Sequence, residues 1–161
     1  MPGDHEFILG EFQRTFDVRY RISIPTELVA ALGSDGDECI LAKERPGCLS
    51  LWNAQTWQIK LNAGVELVKA KMRAGRLGGQ LEQVQLLGRL LSTRHCTVQL
   101  AGRGRLIVPE GFREFLHAEP KSDVLIVGAA VCVEIWNPKA WLTYLEGRMP
   151  RFRKLFDQLS S

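Results

Sequence analysis

The sequence is poor in the residues that usually carry chemistry. It has three histidines, His5, His95 and His117, with no shared spacing. No H-E-x-x-H, G-x-S-x-G, P-loop or G-x-G-x-x-G pattern occurs. Gly102-Arg103-Gly104 is too short for a phosphate loop. No nucleophile–base set can be assembled, so neither enzyme chemistry nor a cofactor is expected. The four cysteines, Cys39, Cys48, Cys96 and Cys132, form no C-x-x-C pair, which argues against zinc and against any metal site. They are expected to be reduced and buried. No run of 18 apolar residues exists, so no transmembrane helix is predicted. Met1 to Glu6 is neither basic nor apolar, unlike a signal peptide. A cytoplasmic chain without a membrane partner is the expectation.

What is present is ordinary globular composition. The 161 residues are 45% hydrophobic and 24% charged, too apolar for a disordered chain. Twenty-one basic against 18 acidic residues leave a net charge of +3. That charge alone does not imply nucleic acid. Arginine, however, outnumbers lysine, and arginine makes forked contacts to phosphate and guanine.

The informative feature is an internal repeat. Shifted by 84 positions, Arg19 falls on Arg103, Arg21 on Arg105, Pro25 on Pro109 and Leu41 on Leu125. Cys48 falls on Cys132, Trp52 on Trp136, Asn53 on Asn137 and Trp57 on Trp141. Apolar pairs such as Ile22 with Leu106 and Leu32 with Leu116 keep the same register.

Each copy reads alike. Phe7 to Phe16 is a β-type run, followed by a tight connection near Asp17 and Val18. Arg19 to Ile24 alternates, which places Arg19, Arg21 and Ser23 on one face. Pro25 ends that strand, and Thr26 to Leu32 is a short helix stopped by Gly33. Strands follow at Glu38 to Ala42 and Cys48 to Trp52, separated by a charged turn over Lys43 to Gly47. Asn53 caps a longer helix striped by Trp57, Leu61, Val65, Val68 and Met72. In the second copy the strands are Cys96 to Leu100, Arg103 to Val108, Val124 to Val127 and Val131 to Trp136. Pro109 to Leu116 is its short helix, and Asn137 caps a helix with Pro138 in its first turn. Leu81 to Leu91 reads as a connecting helix, with a break over Gly75 to Gly79. Arg151 to Leu159 reads as a separate short helix. The expected division is a first repeat over 1–60, a helical connection over 61–94 and a second repeat over 95–161. Each unit is too small to bury a core alone. The two are expected to share one core with pseudo-twofold packing and exchanged strands.

The stretch from Phe7 to Pro25 resembles the N-terminal signature of the MraZ family, transcriptional regulators of the bacterial division and cell wall gene cluster. The family hallmark, D-x-x-x-R within D-x-K-G-R-x-x-x-P, occurs once per half. Here the first copy is Asp17 to Arg21, with Arg19 for lysine and Tyr20 for glycine. The second, Ala101 to Arg105, keeps Gly104 and Arg105 but lacks the aspartate. The resemblance implies an α+β, mainly β fold: two tandem AbrB-like swapped-hairpin half-barrels, each a β-β-α-β-β-α repeat. It also implies ring-shaped homo-oligomers, nucleoid association and binding to tandem repeats in a promoter, in the manner of a repressor.

The residues expected to bind double-stranded DNA are Arg14, Arg19, Arg21, Arg103 and Arg105. Arg19 and Arg21 are expected about 7 Å apart on one strand face, and Arg103 and Arg105 likewise. Asp17 is expected to orient Arg21 or Arg19, or to cap the turn. Tyr20 should resist the left-handed conformation that glycine accepts, so the first turn is expected to differ in shape. Trp52, Trp57, Trp136 and Trp141 are expected in packing. Arg148, Arg151, Arg153 and Lys154 are expected on a solvated face. Competing readings are an oligomeric scaffold of the same fold without DNA binding, and an AbrB-type antitoxin module.

Overall fold

Alternating apolar runs too short to close a core by themselves pair across the two halves of the chain. The computed structural model describes residues 7–33, 38–75 and 79–161. The elements run β1 (Ile8–Thr15), β2 (Arg21–Ser23), α1 (Thr26–Leu32), β3 (Glu38–Arg45), β4 (Cys48–Asn53) and α2 (Ala54–Arg73). They continue with α3 (Leu81–Thr93), β5 (His95–Gln99), β6 (Arg105–Ile107), α4 (Glu110–Leu116), β7 (Asp123–Ala130), β8 (Val133–Trp136) and α5 (Pro138–Ser160). The fold is α+β with antiparallel sheets. The emphasis on β is corrected: α2, α3 and α5, of 20, 13 and 23 residues, outweigh the strands.

Six strands form one sheet in the order β1-β7-β8-β4-β3-β5, and β2 pairs with β6 in a two-stranded ribbon. Exchanging the halves, β1 for β5, β2 for β6, β3 for β7 and β4 for β8, returns the same order reversed. The pseudo-twofold axis passes between Ile22 and Leu106, which are register partners and repeat equivalents. It passes again between Ser50 and Glu134, partners and equivalents in β4 and β8. β1 pairs with β7 of the other half, and β5 with β3. Neither half therefore holds a closed sheet, and the core is common to both. Phe16, Ile22, Ile24 and Leu28 from the first half pack in one cluster with Leu100, Leu106, Val108 and Phe112 from the second.

Local signals explain the boundaries that matter for the site. Pro25 and Pro109 stand at the starts of α1 and α4, after strands they cannot extend. Gly33 and His117 end those helices in the left-handed conformation, φ 64° and 58°. Asn53 Oδ1 accepts from the Gln55 and Thr56 amides, and Asn137 Oδ1 accepts from those of Lys139 and Ala140. The same side chains donate back to the carbonyls of Gly33 and His117. Each cap so ties a long helix to the short helix before it.

Several expectations change. The charged turn shrinks to Pro46 and Gly47, because β3 continues through Lys43 and Arg45. Those charges lie over aromatic rings: Lys43 over Phe112 of α4, Arg45 over Tyr144 of α5. The C-terminal helix is not separate, since α5 runs unbroken through Pro150 to Ser160. The break over Gly75 to Gly79 lies partly outside the described residues. Trp52 and Trp136 are buried against the sheet, each with the next tryptophan of its repeat, Trp57 or Trp141, within 6 Å. Cys48 and Cys132 are buried, and burial pushes the Cys132 thiol up to about 12 and Cys48 higher. Thiols so poised are unreactive.

Candidate nucleic-acid interface

The β2–β6 ribbon is built to show one face. Both strands alternate exposed, buried, exposed. Ile22 and Leu106 turn inward, so Arg21, Ser23, Arg105 and Ile107 turn outward. The register sets Arg21 opposite Ile107 and Ser23 opposite Arg105. Arg21 and Arg105 are therefore diagonal neighbours, about 7–8 Å apart at the backbone. They share a shallow groove with Val98, Gln99, Ala101 and Ile107.

The ribbon is entered through two turns of the same backbone plan. In the first, the Asp17 amide donates to the Arg21 carbonyl and the Tyr20 amide to the Asp17 carbonyl. In the second, the Ala101 amide donates to the Arg105 carbonyl and the Gly104 amide to the Ala101 carbonyl. The turns then lock onto each other's strands. Val108 donates to the Tyr20 carbonyl, and Ile24 donates to that of Gly104.

Side chains separate the two. Asp17 Oδ1 accepts from the Arg19 amide at 2.8 Å and the Arg21 amide at 3.0 Å. Its Oδ2 accepts from Arg21 Nε at 2.6 Å. One carboxylate thus caps the turn and fixes the guanidinium. The Arg21 amide holds the Asp17 carboxyl below its ordinary value, with the Arg21 guanidinium and the Arg19 amide adding to it. Both side chains of the pair are about 40% exposed. Such an exposed, solvent-screened pair adds little to stability, so its main consequence is direction. In the second turn the Arg105 amide donates to the Ala101 carbonyl instead, and no carboxylate stands at that position to orient the guanidinium.

The structure redistributes the five arginines. Arg21 and Arg105 meet on the ribbon. Arg19 and Arg103 do not share strands with them, because the left-handed residues Tyr20 (φ 57°) and Arg103 (φ 66°) break the extended backbone. They sit in the turns at the ribbon's two ends. Arg14 lies on β1 of the larger sheet, where its guanidinium donates to the Gln13 carbonyl and lies over the Phe12 ring, 5.6 Å from its centroid. The expectation for Tyr20 is also corrected. It adopts the same left-handed region as Gly104, at φ 73°, and the first turn keeps two main-chain hydrogen bonds of the second. What differs in shape is the additional left-handed Arg103.

Sequence reasoning missed Arg113. It lies on α4 with its guanidinium carbon 4.2 Å from the centroid of the Tyr20 ring. The signal was available: where the first half has Val29, the second has arginine. Among the described residues no group of three His, Cys, Asp or Glu side chains could hold a metal ion. No described helix is long and apolar enough to cross a membrane.

The chain is similar to known proteins over most of its length. A family model described as "MraZ protein, putative antitoxin-like" matches residues 93–159. A "Transcriptional regulator MraZ" of Heliobacterium modesticaldum is 28% identical over 154 residues, 94% of this chain and 95% of its own. One from Thermoanaerobacter pseudethanolicus is 24% identical over 152 residues, 94% and 96% of the two chains. One from Acetivibrio thermocellus is 27% identical over 135 residues, 84% of each.

Proposed function

We propose that this chain, a member of the MraZ family, is a sequence-specific DNA-binding transcriptional regulator that reads double-stranded DNA with the β2–β6 ribbon. The observation that carries the reading is the outward pair Arg21 and Arg105 on a two-stranded ribbon, with Arg21 held by Asp17. β-Ribbons enter DNA grooves in known complexes. Guanidinium has five donors, and the Asp17 bond through Nε engages one of them. The terminal N–H groups form the fork that recognises guanine O6 and N7. Arg19 and Arg103, at the ribbon's ends, track phosphates and supply register rather than sequence information. Arg14 extends this basic surface. Asp17 does not touch DNA, because phosphate repels a carboxylate. It orients the residue that does.

The finer reading follows the family. The two repeats form an AbrB-like swapped-hairpin unit, with 1–60 and 95–161 as repeats around a helical connection over 61–94. The chain acts as a repressor at tandem repeats in the promoter of the division and cell wall cluster, in the cytoplasm and at the nucleoid, without catalysis or cofactor. It assembles into rings of identical subunits. Exposed apolar side chains on α2, α3 and α5, among them Ile59, Leu67, Leu86, Phe152 and Phe156, support self-assembly, since monomers rarely display such faces.

The test is a titration of the protein against the promoter duplex of that cluster and a scrambled duplex, at two salt concentrations. Preference for the promoter with affinity falling steeply as salt rises is expected. No preference over the scrambled duplex would overturn the reading and bring forward a scaffold of the same fold.

A further inference from the structure

A bulky residue in the left-handed region is strained by roughly 1–3 kcal/mol and persists only where its surroundings hold it. Tyr20 is such a residue, at the base of the ribbon. Its counterpart Gly104 shows what the position otherwise needs. A Cβ there would stand 2.6 Å from the Ile24 carbonyl oxygen and 3.0 Å from Val29 Cγ2. The second turn therefore packs directly on α1, and no side chain fits between them. In the first turn a tyrosine takes the glycine's place, and an arginine takes the valine's. The Arg113 guanidinium lies over the Tyr20 ring at 4.2 Å, and the Phe16 ring meets Tyr20 edge-on at 5.9 Å. Arg113 Nε is buried with no hydrogen-bond partner, so no hydrogen bond through Nε accounts for its position. The stack on Tyr20 does. Cation–π contacts of this kind reach about 2 kcal/mol when desolvated, comparable to the strain they offset.

We infer that Tyr20 and Arg113 form a clasp between the halves, which holds the first turn left-handed and so sets the direction of the Asp17-bound Arg21 guanidinium. Arg113 is a positioning residue that acts through Tyr20. The clasp belongs to the free protein, and only its consequence at DNA rests on the proposed function. That consequence is a first face arranged before DNA arrives.

Two readouts on the full chain test it. The first is the Asp17 side-chain carboxyl followed by NMR against pH, without DNA. The parent should titrate below the ordinary aspartate value, and Tyr20→Phe, which keeps the ring, should match it. Arg113→Ala should move the titration upward, and Arg113→Lys should bring it part of the way back. In a Tyr20→Gly background, Arg113→Ala should change nothing further. An Asp17 titration unmoved by Arg113→Ala would overturn the clasp. Arg113→Met, which keeps bulk without charge, serves if the alanine variant does not fold, with the same two outcomes. The second readout is DNA binding. Arg113→Ala should lose about tenfold in preference for the promoter over a scrambled duplex, with the salt dependence unchanged. A salt slope reduced by about one would mark Arg113 as a phosphate contact and overturn its positioning role. If the parent itself shows no promoter preference, the DNA reading fails and the carboxyl titration alone decides the clasp.

Discussion

The turn at Asp17 and the turn at Ala101 carry one backbone plan with two different side-chain solutions. Both share two main-chain bonds, and both deliver an arginine to the outer face of the ribbon. The first fixes its arginine with a carboxylate and stacks a tyrosine under an arginine. The second has neither, and relies on Gly102, a left-handed Arg103 and Gly104. The two halves therefore share the ribbon's scaffold while the side chains around its paired arginines differ. The lesson is that one backbone scaffold can carry two different side-chain arrangements within a single chain.

The largest expected effect tests whether the halves are equal where they share the core. Ile22 and Leu106 face each other across the axis, 3% and 0% exposed. Ile22→Ala and Leu106→Ala should each cost about 2–5 kcal/mol in denaturant unfolding. A large difference between them would break the symmetry of the core. The helix caps come next. Asn53→Ala and Asn137→Ala should each cost about 1 kcal/mol, read as paired shifts in thermal midpoint. A smaller effect sharpens the contrast between the turns. Ala101→Asp should give Arg105 the partner that Arg21 has, a surface pair worth about 0.2–1 kcal/mol. Promoter affinity should then depend more strongly on Arg105 than in the parent. The smallest effect is in pH. The folded Asp17 carboxyl lies below the ordinary aspartate value, so the order it lends the turn is complete above that ordinary value. It is lost only as pH falls through the folded value. Stability curves of the parent and Asp17→Asn should therefore run parallel near neutrality and converge in acid.

Much of this was legible from residue order. The ends of α1, the start of α4, the caps at Asn53 and Asn137, and a core shared by two equivalent halves follow from proline, glycine, asparagine and the repeat. Less legible was anything decided across the halves. β3 runs on through Lys43 and Arg45, paired with Leu49 and Cys48 of β4, and rings from α4 and α5 lie under those charges; alternation within one strand cannot reveal such partners. Tyr20 takes a conformation that its own chemistry disfavours, and Arg113, 93 positions away, accompanies it. Arg19 and Arg103 read as strand residues by alternation, but a left-handed neighbour or their own backbone turns them out of the strand. The continuity of α5 through Pro150 also escaped the sequence, because proline usually ends or kinks a helix.

The most direct measurement places Arg21→Ala and Arg105→Ala side by side on the promoter duplex, each compared with the parent and with a scrambled duplex. Arg21→Ala should cost about 1–3 kcal/mol and much of the preference for the promoter, as loss of a base-reading arginine does. Arg105→Ala should cost less and leave the preference largely in place. Equal losses from the two substitutions would contradict the account, because the Asp17-held arginine and its unheld counterpart would then read DNA alike.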